Sequence, residues 1–418
     1  MEGDMQRCRV LVINDFAEKG GAEVVYRQSA ELLGTLPGVD VERFDDSHFS
    51  ARSTMLSRSW NVTAARALEQ AMSRFRPHRL MVHNYHNHLS PSILSVIARH
   101  QRDYGYRAYH TCHDYHLVYY NPSLQYFVEG RPIILPLEAL RTPAAFKLRP
   151  TPKGLVHDLL TKTYWHAIRA AYRPARVFDR ILCPSDFMKE ALCRAGIDNT
   201  VLLHNPSAVP TEHPLVTVRG KERLNLAFVG RISPEKGLAQ FVDLAHSIGF
   251  EGIESIGVYG DGPDRQAIQQ RHAALVANRK LIFFGSMPQA QLFPAIQRFA
   301  DAVVVPSVAA ENAPLVVIEA AMLGMPALVH DGGSMAVTAD SVGNKIKFHA
   351  DPVSLRRALG ELAGHLANAE RRYDVNEYLP EHYARRLAEI MHIGEEDFAP
   401  ATRPGLAAAF ADNPRHAR

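Results

Sequence analysis

The chain has 418 residues, of which 46% are hydrophobic and 22% charged; that suits two soluble globular domains and excludes a disordered or fibrous chain. Forty-seven Lys and Arg against 44 Asp and Glu leave a net charge of +3, too little to make nucleic acid the main partner. Cys8, Cys112, Cys183 and Cys193 follow no metal-ligand spacing, and the sequence has neither an apolar signal core after Met1 nor an apolar run of about 18 residues. Cys8 and Cys183, in apparent strands, read as reduced, buried thiols and point to a cytoplasmic protein that at most touches the inner face of a membrane.

Arg9 to Asn14 reads as a first strand, followed by a Gly20-Gly21 turn and a helix from about Ala22 to Leu33. No Gly-x-Gly-x-x-Gly fingerprint occurs there, which argues against a dinucleotide oxidoreductase. Val39–Phe44 reads as a second strand, and the polar stretch from Asp45 to Arg58 as a long loop. A helix over Trp60 to Arg74 and a short strand over Leu80 to His83 come next, then a helix over Pro91 to His100. The strand Arg107–Thr111 opens into His113-Asp114. Six prolines between Pro122 and Pro152 break any periodicity, so Tyr115 to Pro152 reads as a long loop of functional character. Leu155–Tyr172 reads as a helix, Arg180–Cys183 as a strand, Asp186 to Ala195 as a helix and Val201 to His204 as a strand.

Residues 205–223 read as a linker. From Leu224 strands and helices alternate again, to about Leu366, which implies parallel sheets covered by helices. The strand Leu224–Val229 runs into Gly230-Arg231-Ile232-Ser233-Pro234-Glu235-Lys236-Gly237 and a helix from Leu238 to Ser247. Arg231 and Lys236 thus sit at a strand's carboxyl end, where an Arg fork and a mobile Lys charge suit phosphate oxygens. The apolar run Val303 to Val305 leads to Glu311, and Pro314 suits the first turn of a helix over Leu315 to Leu323. Glu311 then lies just ahead of a helix N-terminus, and Glu319 about one and a half turns inside it. Free amides at a helix end favour phosphate, and carboxylates accept from hydroxyls. A nucleotide sugar offers both groups. A last helix spans about Tyr378 to Ile393.

The order Phe228-Val229-Gly230-Arg231, Glu235-Lys236-Gly237, Val258-Tyr259-Gly260-Asp261-Gly262-Pro263, Phe284-Gly285, Pro306-Ser307, Glu311, Glu319-Ala320 and Gly324-Met325-Pro326 resembles glycosyltransferase family 4. Gly20-Gly21-Ala22-Glu23, His113-Asp114-Tyr115, Pro184-Ser185 and His204-Asn205-Pro206 resemble it more loosely. The resemblance implies a GT-B fold, two Rossmann-like α/β domains with parallel sheets facing a central cleft. It places an acceptor-binding domain at 1–205, a nucleotide-sugar domain at 206–380, a helix crossing back at 381–394 and a poorly ordered tail at 395–418. It also implies site roles. Arg231 and Lys236, with Gly230, would neutralise the donor diphosphate. Glu311 and the amides of Asn312, Ala313 and Leu315 would hold the transferred sugar, and Glu319 the ribose. Gly20 and Gly21 would let the first loop approach phosphate or acceptor. His113 would bond a sugar hydroxyl as a neutral imidazole, with His110 and His116 as nearby competitors. Tyr119-Tyr120-Asn121-Pro122 stands where many sugar-polymer relatives carry Cys-Pro-Asn, which loosens any transfer of acceptor type.

The implied activity is metal-independent, retaining transfer of a sugar from a UDP- or GDP-type donor to a glycan, lipid-linked glycan or small-molecule acceptor, in surface polysaccharide or glycoconjugate assembly. No Asp-x-Asp pair lies in a loop suited to a metal, and no other cofactor is implied. The competing readings are transfer to a small soluble aglycone, a non-catalytic nucleotide-sugar scaffold, and a sugar-nucleotide epimerase of the same fold.

Overall fold

The computed structural model describes residues 7–18, 20–50, 60–207, 209, 221–344, 346–368 and 373–394. The tail from residue 395 and most of the 205–223 linker lie outside the described residues.

Two six-stranded parallel sheets organise the chain. The first contains β1 (Cys8–Ile13), β2 (Val39–Phe44), β3 (Arg79–Val82), β4 (Arg107–Thr111), β7 (Arg180–Cys183) and β8 (Thr200–Leu202), in the order β2-β1-β3-β4-β7-β8. The second contains β9 (Leu224–Val229), β10 (Ile253–Tyr259), β11 (Leu281–Phe283), β12 (Ala302–Val305), β13 (Ala327–His330) and β14 (Lys347–Phe348), in the order β11-β10-β9-β12-β13-β14. The central strands β1, β3, β9 and β12 are apolar on both faces because helices cover both faces. In each sheet the strand order reverses at one point, between β1 and β3 and between β9 and β12. Beyond the carboxyl ends of strands at such a point a crevice opens that helices do not fill.

The stretch read as a long loop is partly structured. Gln125–Val128 (β5) and Arg131–Ile134 (β6) pair antiparallel as a separate hairpin, and Pro143–Lys147 forms a short helix. Glu129 and Gly130 turn the hairpin with φ of 49° and 79°, the left-handed pair that matches strand twist. Its four-residue strands and the internal Pro132 hid it, since Pro is tolerated only outside a central ladder. The helix expected from Pro314 begins at Leu315, with Pro314 as the residue just before it.

The 115–125 segment of the first sheet's domain touches the Glu311 loop directly. Gln125 Nε2 donates to Val308 O at 3.0 Å and Ala310 N to Ser123 O at 3.3 Å. The Pro380–Met391 helix packs on the first domain. Its buried Tyr383 Oη meets Ser29 Oγ at 2.6 Å, and Arg79 Nε donates to Met391 O at 2.7 Å.

Candidate active site

Two loops leave the reversal point of the second sheet, one after β9 and one after β12, and the sequence pins them together. Gly237 has a φ of 72°, and a Cβ there would fall 2.0 Å from Pro306 O, so only glycine permits this approach. Ser307 Oγ and Val308 N donate to Glu235 O at 2.9 and 3.0 Å. The Gly260-Asp261-Gly262 turn supports the first loop from behind. A Cβ on Gly260 would meet Gly230 O at 1.9 Å, and Ile232 N donates to Asp261 O at 2.9 Å.

This clamping places Lys236 Nζ 2.8 Å from Glu311 Oε1, both half-buried. The Glu311 backbone is fixed as well. Its carbonyl accepts from Tyr115 Oη of the other domain at 3.1 Å and from Ser334 Oγ. Just beyond it, the amides of Asn312, Ala313, Leu315 and Val316 donate to no acceptor among the described residues. They are the orphan donors expected at a helix start, and with the helix dipole they make a positive pole beside the Lys236–Glu311 pair.

The facing wall comes from the first domain. A cleft of about 310 Å³ is lined by Lys236, Glu311, Asn312, Ala313 and Leu315 on one side and by Gly21 and His113 on the other. A Cβ on Gly21 would meet no protein atom within 4 Å, so the room its missing side chain leaves is cleft space. His113 Nε2 lies 2.8 Å from His83 Nδ1 with the rings stacked, and burial pushes the His113 imidazole down to about 3. His113 is therefore neutral at working pH, and its ring partner is His83. Asp114 instead pairs with His116, Oδ2 to Nδ1 at 2.9 Å. His110 is occupied by Val82 O at 2.9 Å. Both competitors to His113 are thus engaged elsewhere.

Four residues named from the sequence stand off this cleft. Gly20, Gly230 and Arg231 do not line it, though Arg231 is exposed on the same loop as Lys236 and has no side-chain partner among the described residues. Glu319 lies one turn further along the Leu315–Met322 helix, with Gln289 Nε2 at 3.4 Å. Burial pushes its carboxyl up to about 7.

Sequence reasoning missed His83, Ser334 and Asn205 as parts of this arrangement. Asn205 lines the cleft, and its buried Oδ1 has no partner among the described residues. His83 stands at the carboxyl end of β3, next to β4, and that adjacency was the available signal.

A larger cavity of about 680 Å³ lies within the first domain, between Asp15, His86, Asp114 and His116 on one side and Tyr120, Tyr164 and Trp165 on the other. His86, Asp114 and His116 are near enough for a shared metal ion. However, the rings of His86 and His116 lie tilted against each other with centroids 4.4 Å apart, and His116 is already paired to Asp114, so the set reads as a hydrogen-bonding wall. Burial alone would lower His116, but the Asp114 carboxylate outweighs it and raises it.

A family profile described as glycosyl transferases group 1 matches residues 212–382. No curated protein matches the chain. Solved structures similar to it include the lipopolysaccharide outer core galactosyltransferase WaaB in its apo form, at 15% identity and a TM-score of 0.60 over 92% of this chain and 99% of that one. HepE from Anabaena in complex with UDP is similar at 13% identity and a TM-score of 0.58, over 92% and 99%. UDP-GlcNAc 2-epimerase from Methanocaldococcus jannaschii is similar at 12% identity and 0.54, over 92% and 100%. At these identities the likeness establishes the fold, and since an epimerase shares it, the fold alone assigns no reaction. The family match adds what the fold does not: residues 212–382 carry a glycosyl transferases group 1 (family 4) domain, in a chain built on the GT-B fold.

Proposed function

We propose that the chain is a retaining, metal-independent glycosyltransferase. In this reading it moves a sugar from a UDP- or GDP-type donor to an acceptor hydroxyl, in surface polysaccharide or glycoconjugate assembly. The observation that carries the reading is the Lys236–Glu311 pair at 2.8 Å, set beside four unpaired amides and across a cleft from the neutral His113. The donor diphosphate takes the amides, Lys236 and Arg231. Lys236 then turns from Glu311 to phosphate, and the released Glu311 carboxylate accepts from a hydroxyl of the transferred sugar. His113, held by His83, bonds a second sugar hydroxyl. Glu319 serves the ribose hydroxyls.

In the transfer the anomeric carbon's bond to the phosphate oxygen breaks, and its bond to the acceptor oxygen forms on the same face. The acceptor's proton passes to the departing phosphate oxygen. The two cations and the amides stabilise the charge that develops on the diphosphate, which is the largest contribution a preorganised site can make. Retaining glycosidases use a carboxylate pair about 5 Å apart for a double displacement. Here Glu311 is the one carboxylate lining the cleft among the described residues, and in this reading a sugar hydroxyl takes it up, so such a pair is lacking there. The acceptor enters from the first domain, whose larger cavity offers aromatic and hydrogen-bonding walls suited to a sugar.

Thermal denaturation with a panel of nucleotide sugars tests this, since a ligand bound only to the folded state raises its stability by mass action. One nucleotide class should stabilise the wild type, and Lys236→Ala should lose most of that gain. A panel without effect, or an equal gain in Lys236→Ala, would overturn the assignment.

A further inference from the structure

The Leu155–Tyr172 helix is inside out. Leu155 and Val156 are 76% and 75% exposed, and Leu159 and Leu160 are each 61% exposed. Its three charged side chains are turned inward. Asp158 is buried and accepts from Arg149 Nε at 3.0 Å and Thr151 Oγ1 at 2.7 Å. Lys162 is buried and donates to Phe146 O at 2.6 Å. Arg169 donates to Leu117 O and lies over the Trp165 ring at 4.4 Å. A surface helix ordinarily does the reverse, burying its apolar stripe and presenting charge to water. Phe146, half exposed, extends the patch, with its ring 5.2 Å from Lys162 Nζ. With Tyr164, 44% exposed, these side chains share one face over ten residues of the helix, about 15 Å, a contiguous apolar strip that marks an interaction surface.

Charge indicates what covers it. From Arg141 to Arg176 the chain carries eight Lys and Arg and one acid, the buried Asp158. That is 8 − 1, or +7, in a segment of a chain whose total is +3. Lys147 and Lys153 are exposed toward the start of the helix, and Arg173 and Arg176 just past its end. An apolar strip between cations matches an anionic lipid surface, where aliphatic side chains enter the acyl boundary and Lys and Arg meet phosphate. A second copy packed two-fold on this face would set the same cations against one another. No described helix is long and apolar enough to cross a membrane, so the contact is with the surface.

We propose that the Leu155–Tyr172 helix docks this protein on an anionic lipid bilayer, with Leu155, Val156, Leu159 and Phe146 entering the interface and the flanking cations on lipid phosphates. The docking stands on the helix alone. One consequence rests on the glycosyltransferase reading: Leu160, Tyr164 and Trp165 of this helix also line the 680 Å³ cavity, so a lipid-borne acceptor reaches the enzyme from the membrane.

Flotation of the full chain with vesicles tests it, using phosphatidylcholine alone and with about 30% phosphatidylglycerol. Binding should require phosphatidylglycerol and fall severalfold in about 0.5 M salt. The double variant Leu155→Ser, Leu159→Ser should lower it at least about tenfold with an unchanged melting temperature, because both positions are exposed. Lys147→Gln with Lys153→Gln should lower it severalfold. A wild type that does not float, or a Ser variant that floats as well as wild type, overturns the proposal. So does a dimer in sedimentation that the Ser variant abolishes without any vesicle binding, since that assigns the face to a second copy. No nucleotide sugar is present in the assay, so this result and the outcome for transfer are read separately.

Discussion

Glu319 should tie nucleotide binding to proton release. Burial holds its carboxyl near 7 in the free protein. At pH 6 about one-tenth of the molecules then carry it ionised, and at pH 8 about nine-tenths. Ribose hydroxyls donate to the ionised form, so a bound nucleotide favours it. Binding at pH 7 should release about half a proton from this group, and nearly a whole proton at pH 6. The affinity of a nucleoside diphosphate should be roughly tenfold weaker at pH 6 than at pH 8 through this group alone. Calorimetry in two buffers of different ionisation enthalpy measures the released proton. The nucleotide's own phosphate titrates nearby, so the quantity to read is wild type minus Glu319→Gln. The same carboxyl bears on stability. Its folded value lies above the ordinary 4.5, so ionising it works against folding as pH rises from about 4.5 to 7. Glu319→Gln should therefore stabilise the free protein at pH 8, by at most about 3 kcal/mol, and the gain should vanish near pH 4. Equal proton release in wild type and Glu319→Gln would refute the ribose role and the argument from burial together.

Arg231→Ala and Lys236→Ala should each weaken nucleoside diphosphate binding and slow transfer, at a cost of about 2–4 kcal/mol in the transition state, as steady-state kinetics would report. Glu311→Ala should depress transfer while leaving calorimetric diphosphate affinity equal to or tighter than wild type, because it frees Lys236; a larger loss of diphosphate affinity than in Glu319→Ala would reverse the two assignments. Gly237→Ala should cost about 2–4 kcal/mol of stability in chemical denaturation, since its Cβ would strike Pro306 O. Activity should persist in excess EDTA, and its loss with recovery on adding magnesium or manganese would contradict a diphosphate neutralised by Arg231 and Lys236.

Local pattern made some of this structure legible before any coordinates. The strands Arg107–Thr111 and Arg180–Cys183 and the helix Leu155–Tyr172 have the bounds their residues suggested, because apolar period and flanking breakers are local properties. Residues 75 apart, such as Lys236 and Glu311, could be put in one loop region each, yet their contact depends on β9 lying beside β12. The His83–His113 pair depends likewise on β3 lying beside β4. The same limit applies to the Leu155–Tyr172 helix: its periodicity was readable, but which face turned outward was settled by where Asp158, Lys162 and Arg169 found partners. The β5–β6 hairpin was hidden by its short strands and Pro132, although Glu129-Gly130 marked its turn.

Stereochemistry tests the central claim most directly, and it needs no acceptor. Glycosyltransferases let water stand in for the acceptor slowly, so a gluco-configured nucleotide sugar that stabilises the protein can be followed by proton NMR as the free sugar appears. With Glu311 engaged by a sugar hydroxyl and no second carboxylate lining the cleft among the described residues, attack from the leaving-group face should release the α-anomer first, seen as a small anomeric coupling before mutarotation sets in. Initial release of the β-anomer, with its large coupling, would mean inversion by a base on the opposite face and would contradict the account.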